Sequence, residues 1–169
     1  MNKNILLITD TLPTSKDDYT GKYILDQLIE VQKINEGFCT VLHVNPYFKN
    51  ETSFDYIKSF SSNNLTIVLT KILSFPRYKF LRIRSCLFVL QKYLYIKKLI
   101  AKKNIEIVHC HNFATIGIGY YIKFFFKIPY LLTIHGREDP TVLENNESKI
   151  HAMKTFFSSA SRTIIVGYV

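Results

Sequence analysis

Three histidines stand where apolar, strand-like runs end: His109 and His111 in "IVHCH" and His135 in "LLTIH". Alternation along a strand puts His109 and His111 on one face and Cys110 on the other. Two imidazoles pointing the same way have three uses. They can ligate a metal, if His135 and a carboxylate such as Asp139 converge on them. They can hydrogen-bond the hydroxyls of a polar ligand. They can also simply satisfy loop backbone at a strand end. The H-x-H spacing alone does not choose among these.

The elements that would position the histidines alternate almost throughout. "NILLIT" (4–9), "FCTVLHVN" (38–45), "LTIVLT" (65–70), "IEIVHC" (105–110), "IPYLLTIH" (128–135) and "RTIIVG" (162–167) are short continuous apolar runs of the kind buried parallel strands show. Between them, helical spacing runs through Ile24, Leu28 and Val31, over about 82–103, over about 115–126 and over 147–160, and Gly37 is placed as a helix stop. The stretch 46–64 is irregular. Repeated strand–helix units of this type predict an α/β fold with a doubly wound, Rossmann-like parallel sheet. In such sheets the ligand crevice lies at the C-terminal strand ends, where the three histidines fall.

At 169 residues the chain reads as a single domain, 1–169, and its 47% hydrophobic share excludes a disordered chain. Three widely spaced cysteines, Cys39, Cys86 and Cys110, form no C-x-x-C motif or disulfide framework and suggest a reducing compartment. The N-terminus turns polar too soon for a signal peptide. Phe113 to Ile134 is long enough to span a bilayer, but Lys123, Lys127 and Pro129 divide it into a helix and a strand. The expected location is the cytoplasm.

Charge is concentrated in one place. Residues 1–70 sum to −2 and residues 104–169 to +1, whereas 71–103 hold ten Lys or Arg and no acid. On a helical wheel Arg84, Gln91, Tyr95, Lys98 and Lys102 share a narrow stripe, while Leu87, Leu90, Leu94 and Ala101 face elsewhere. This is either a core helix with a solvated basic edge or a surface for an anionic partner. Such a field attracts phospholipid headgroups, nucleic acid or phosphorylated substrates; on the membrane reading Arg84, Lys98 and Lys102 would dock at the inner face of the cell membrane. Nucleic acid is disfavoured, because a helix-covered sheet offers no stacking platform for bases.

Familiar motifs are absent: no G-x-G-x-x-G after the first strand, no G-x-x-x-x-G-K-[ST] and no G-x-S-x-G. Asp10, Asp17 and Asp18 suggest a phosphoacceptor receiver, but no acid ends the third strand.

Four blocks in order carry a family resemblance. They are "ILLITDTLPTSKDDYTGKYILDQLIEVQKINEGFCTVLHV", "IEIVHCHNFATIGIGYYIKFFFKIPYLLTIHG", "HGRED" and "SSASRTIIVG". Together they resemble the N-terminal, acceptor-side domain of the family 4 retaining glycosyltransferases of GT-B fold. The resemblance implies an acceptor, either a sugar or a lipid-linked molecule, lying over the C-terminal edge of the sheet. His111, His135, Gly136 and Asp139 would line that side. Gly21, preceded by Thr20 where the family usually has a second glycine, would let the first loop approach donor phosphates. No catalytic residue is carried over.

The same resemblance implies that the donor-binding half, with its E-x7-E carboxylates and its Arg/Lys pair, lies in a C-terminal domain or a partner. Stabilising the departing phosphate is the largest catalytic term in such a transfer, so this chain alone is expected to be inactive. The last strand ends two residues before Val169, where a further helix is expected. The substrate would be a nucleotide-sugar, with no cofactor and no metal, and the pathway one of polysaccharide biosynthesis. The competing class is a non-catalytic acceptor-binding or partner module of the same fold, with a basic nucleic-acid-binding domain third.

Overall fold

A computed structural model describes residues 3–13, 16, 19, 21–34, 37–46, 59–61, 64–72, 81–135 and 147–166. The elements are β1 (Ile5–Thr9), α1 (Lys22–Ile34), β2 (Cys39–Pro46), β3 (Leu65–Ile72), α2 (Leu81–Gln91), α3 (Tyr93–Lys103), β4 (Ile107–His111), α4 (Phe113–Phe126), β5 (Tyr130–His135), α5 (Glu147–Ser159) and β6 (Arg162–Val166). All six expected strands form, and every neighbouring pair is parallel, in the order β3-β2-β1-β4-β5-β6. The fold is the doubly wound, Rossmann-like α/β sheet that the alternation predicts. Its topological switch point lies between β1 and β4.

Each face of the sheet has its own core. Leu6, Ile8, Leu42, Val44, Val108, Cys110, Tyr130 and Leu132 form the larger one with Phe88 and Val89 of α2, Ile96 of α3, Ile116, Ile118 and Ile122 of α4, and Met153 and Phe156 of α5. The opposite face is smaller: Leu7, Val41, Cys39 and Leu65 pack with Leu12 and with Ile24 and Leu28 of α1.

The two α4 glycines are explained by the larger core. A Cβ on Gly119 would run into Cys110 Sγ and the Tyr130 ring, and one on Gly117 into Ser85 of α2. Bare backbone here lets α4 lie directly on the sheet and on α2. Burial against α4 pushes the Cys110 thiol up to about 12, against the smaller opposing effects of Gly119 backbone and the Thr115 hydroxyl. The Tyr130 hydroxyl donates to the Phe156 carbonyl, tying β5 to α5.

One expectation changes in kind. The spacing predicts one helix over about 82–103, and the chain forms two, joined at Lys92 (φ −101°, ψ 11°). The hydrogen-bond ladder continues through the joint, Lys92 N–H donating to Phe88 O (3.0 Å) and Ile96 N–H to Lys92 O (2.8 Å). The joint is therefore a kink. Tyr93 just beyond it stacks on Phe126 at 4.9 Å and meets Phe125 edge-on at 6.1 Å, which anchors α3 against α4.

The possible membrane span at 113–134 resolves into α4 and β5. Among the described residues no helix is long and apolar enough to cross a membrane.

Candidate functional site

The C-terminal ends of β1, β4 and β5 lie side by side. The register pairs Ile8 with Cys110 and His111 with Thr133, so Thr9, His109, His111 and Thr133 share the face opposite the larger core. The His109 and His111 rings lie 4.4 Å apart at 39°, facing together as alternation predicts. His109 Nε2 is 2.8 Å from Thr133 Oγ1. His111 and Thr133 are fully buried, and His109 is partly open. Cys110 points the other way, into the larger core.

Asn112 stitches this edge together. It sits at the N-cap of α4 with φ 73° and ψ 158°, outside the left-handed helical well and in a region of backbone space essentially confined to glycine. Its N–H donates to Thr133 O (3.1 Å), and its side-chain amide reaches Asp10 Oδ1 (3.2 Å) rather than capping its own helix. Thr115 supplies the local closure, donating its hydroxyl to His111 O. Asp10 also accepts from Thr11 Oγ1 (3.1 Å), and Thr9 Oγ1 accepts the Thr11 N–H (3.1 Å). One amide and one carboxylate thus bridge the switch point between β1 and β4.

Gly21 opens α1 with φ +74°, and a Cβ there would lie 2.8 Å from Thr11 O and 3.1 Å from Leu12 Cα. The fold itself demands glycine here, because both the backbone angle and the contact exclude a side chain. This contact presses the start of α1 onto the loop that Asp10 begins.

The expected site residues divide as follows. His111 is buried at the C-terminal end of β4, and Gly21 lies against the Thr11–Leu12 backbone. His135 is the last residue of β5, paired in register with Val166. Thr20, Gly136 and Asp139 lie outside the described residues, so the acceptor lining expected from them is not placed. Arg84 differs from the docking role expected of it: its guanidinium is partly buried and donates to Ala114 O at the start of α4 (3.0 Å). Lys98 and Lys102 are exposed on α3. Among the described residues no three His, Cys, Asp or Glu side chains gather into a group that could hold a metal ion.

Asp10 and Asn112 are the site residues that sequence reasoning undervalued. Asp10 drew notice only as a receiver-type carboxylate. The signal for Asn112 was its position, an Asn between a strand and an apolar helical run, which is where N-caps fall. Chemically, the edge offers an imidazole pair, a threonine hydroxyl, a carboxylate and an amide. All of these make directed hydrogen bonds to hydroxyl groups.

Comparison with solved structures reaches UGT89C1 of Arabidopsis thaliana complexed with UDP, at TM-score 0.64 and 14% identity, covering 98% of this chain and 45% of that one. It also reaches the sucrose-phosphate synthase (tll1590) of Thermosynechococcus elongatus, at TM-score 0.58 and 15% identity, covering 96% of this chain and 42% of that one. At such identities the likeness is one of fold. The chain spans less than half the length of either structure. No curated protein matches the sequence. The profile of Glycosyltransferase Family 4 matches residues 52–167, a span running from before β3 through β6 and including His109, His111 and Asn112. That match covers well over half of the sequence, and the chain belongs to Glycosyltransferase Family 4.

Proposed function

We propose that this chain is the N-terminal, acceptor-side domain of a retaining glycosyltransferase that moves a sugar from a nucleotide-sugar to a lipid-linked or polysaccharide acceptor. The observation that carries the reading is the polar edge at the β1/β4 switch point, where His109, His111, Thr133, Asp10 and Asn112 gather at the C-terminal strand ends. Ligands of open α/β sheets enter at such a point. Hydroxyl-rich acceptors suit its donors and acceptors of hydrogen bonds. In this reading Asn112 and Asp10 are positioning residues that fix the first loop and Gly21 against β4. The partly open His109 is the side chain best placed to meet an acceptor hydroxyl.

Transfer also needs groups that stabilise the leaving nucleoside diphosphate. In this reading they come from a second domain or a partner, and the chain alone does not turn over. It uses a nucleotide-sugar as substrate, with no cofactor.

An array of immobilised oligosaccharides and polyprenyl-diphosphate-linked saccharides tests this. The chain is expected to capture at least one glycan class. Asn112→Ala is expected to weaken capture about tenfold, for the loss of roughly 1–2 kcal/mol of hydrogen bonding to a charged group. Failure to capture any glycan would overturn the acceptor role. Robust sugar transfer by the chain alone from a nucleotide-sugar would overturn the assignment of the donor site elsewhere.

A further inference from the structure

The outward line of α2 and α3 is apolar. At 100° per residue, Ser85, Phe88 and Val89 of α2 and Ile96 of α3 define the side buried against the protein. Opposite them stand Ile83, Leu87, Leu90 and Leu94, exposed by 54%, 47%, 50% and 72%. Exposed Lys97 and Ala101 continue the same line. The steps along it are four, three, four, three and four residues. That alternation averages 3.5 residues per turn and keeps a seam on one side of a helix. The ridge runs ~27 Å at 1.5 Å per residue, with Leu90 and Leu94 on either side of the kink at Lys92. Scattered exposed leucines need no explanation, but a ridge in heptad step does.

The ridge is also narrow. Arg84, Gln91, Lys98 and Lys102 border one flank of it, and Lys97 sits within it. An apolar face that covers a core is wider than ~100°, whereas a strict three-and-four stripe is the seam by which one helix receives another.

The basic residues of the segment separate into two groups. Arg82 donates to Thr155 Oγ1 of α5 (2.7 Å), Arg84 to Ala114 O, and Lys103 to Thr66 Oγ1 (3.3 Å) while lying over the Phe38 ring. These three stitch α2 and α3 to the rest of the fold. Lys97, Lys98 and Lys102 instead stand exposed on α3. No acid occurs anywhere from residue 71 to residue 103.

We propose that the α2–α3 ridge is a docking seam for one amphipathic helix of a partner protein, with an apolar stripe that packs on Ile83, Leu87, Leu90 and Leu94 and acidic flanks that face Lys97, Lys98 and Lys102. Pairing of helices along such stripes is a recurring mode of recognition. A single lysine at a seam position, here Lys97, fixes the register of the pair. The charge selects the partner. A second copy of this chain would bring the same lysines and no acid to the seam, whereas acidic flanks pair with them and suppress wrong partners.

This ridge lies on the side of the sheet away from His109, His111 and Thr133, so a helix docked on it leaves that edge open. The proposal therefore does not rest on the acceptor role.

The test is fluorescence anisotropy of the chain with synthetic helical peptides of about three heptads. One carries Leu along its seam and Glu on its flanks, a second has Lys in place of Glu, and a third has Ser in place of Leu. The acidic leucine peptide is expected to bind, and the other two at least tenfold more weakly. The double change Leu90→Gln and Leu94→Gln should weaken binding about tenfold. Because those leucines are exposed, the melting temperature should not move. Reversing Lys97, Lys98 and Lys102 to Glu should switch the preference to the basic peptide. A Leu94→Cys variant carrying an environment-sensitive fluorophore, in a Cys86→Ser background, should shift to the blue with the acidic leucine peptide. Equal binding of the leucine and serine peptides would reduce the contact to charge and overturn the proposal, as would charge reversal without a switch. A chain dimer dissolved by the leucine changes would make a second copy the occupant. A fluorophore shift on phosphatidylglycerol vesicles with none on the peptide would make it a bilayer. Either result overturns the helix.

Discussion

The two faces of the sheet are built for different ends. One is covered by α2, α3, α4 and α5, and its strand positions carry Leu6, Ile8, Leu42, Val108, Cys110, Tyr130 and Leu132, all fully or almost fully buried. The other has α1 over β1 and β2. Around the switch point it carries Thr9, His109, His111 and Thr133 at the strand ends. Apolar burial on the first face holds the sheet in register. That leaves the second face able to place polar groups that would weaken a core. The difference teaches that stability and chemistry run along alternate residues of the same strands: in β4, Val108 and Cys110 serve one face, and His109 and His111 the other.

Substitutions that load one face and spare the other would break this comparison if their effects spread. The largest effect is expected from Phe156→Ala, a fully buried ring on α5 whose carbonyl also receives the Tyr130 hydroxyl. The cavity and lost contacts should cost about 3–5 kcal/mol, read as a drop in the denaturation midpoint. Glycan capture by whatever fraction stays folded should be unchanged.

A smaller and complementary effect is expected from Thr133→Val. The shape is nearly kept while the hydroxyl beside His109 Nε2 is lost. Stability should fall by about 1 kcal/mol, and glycan capture should fall with it. If Thr133→Val left capture intact, the polar face would not be the acceptor's, and the comparison would have to be redrawn.

The smallest effect should come from a region that belongs to neither face. At the N-terminal edge, Glu106 pairs with Lys3 at 2.5 Å and accepts the Asn4 N–H at 3.2 Å. The Lys3 hydrogen bond, followed by that of Asn4, holds its carboxyl below the ordinary carboxylate range. A depressed folded pKa contributes stability above the unfolded pKa, and that stability is lost as the pH falls through the folded value. Glu106→Gln should therefore lower the melting temperature slightly at neutral pH. The difference from the parent chain should shrink toward zero in acid. A pH-independent difference would show that the residue acts through packing instead.

The strands were legible because a buried parallel strand needs a continuous Val/Ile/Leu run, and all six runs are present. β6 departs from that reason, since its run forms the edge strand with all five residues exposed. The direction of His109 and His111 was legible because strand alternation is local geometry. The outward surface of α2 and α3 was not. That segment is apolar on more than one side, so its wheel allows two orientations, and two of its arginines are long enough to reach inward to Thr155 and Ala114. Which leucines face water was settled by α4, whose Gly117 admits Ser85 and so chooses the buried side of α2.

By itself, the sequence determined the class of fold, the order of its units and the strand ends at which polar chemistry falls, since each follows from periods of two or 3.6 residues read over short windows. Tertiary structure alone decided which distant residues meet. Asp10 and Asn112 are 102 positions apart and become partners only because the sheet reverses its strand order between β1 and β4. The same is true of the leucine ridge, because exposure is a property of what packs against a helix and not of the helix's own residues.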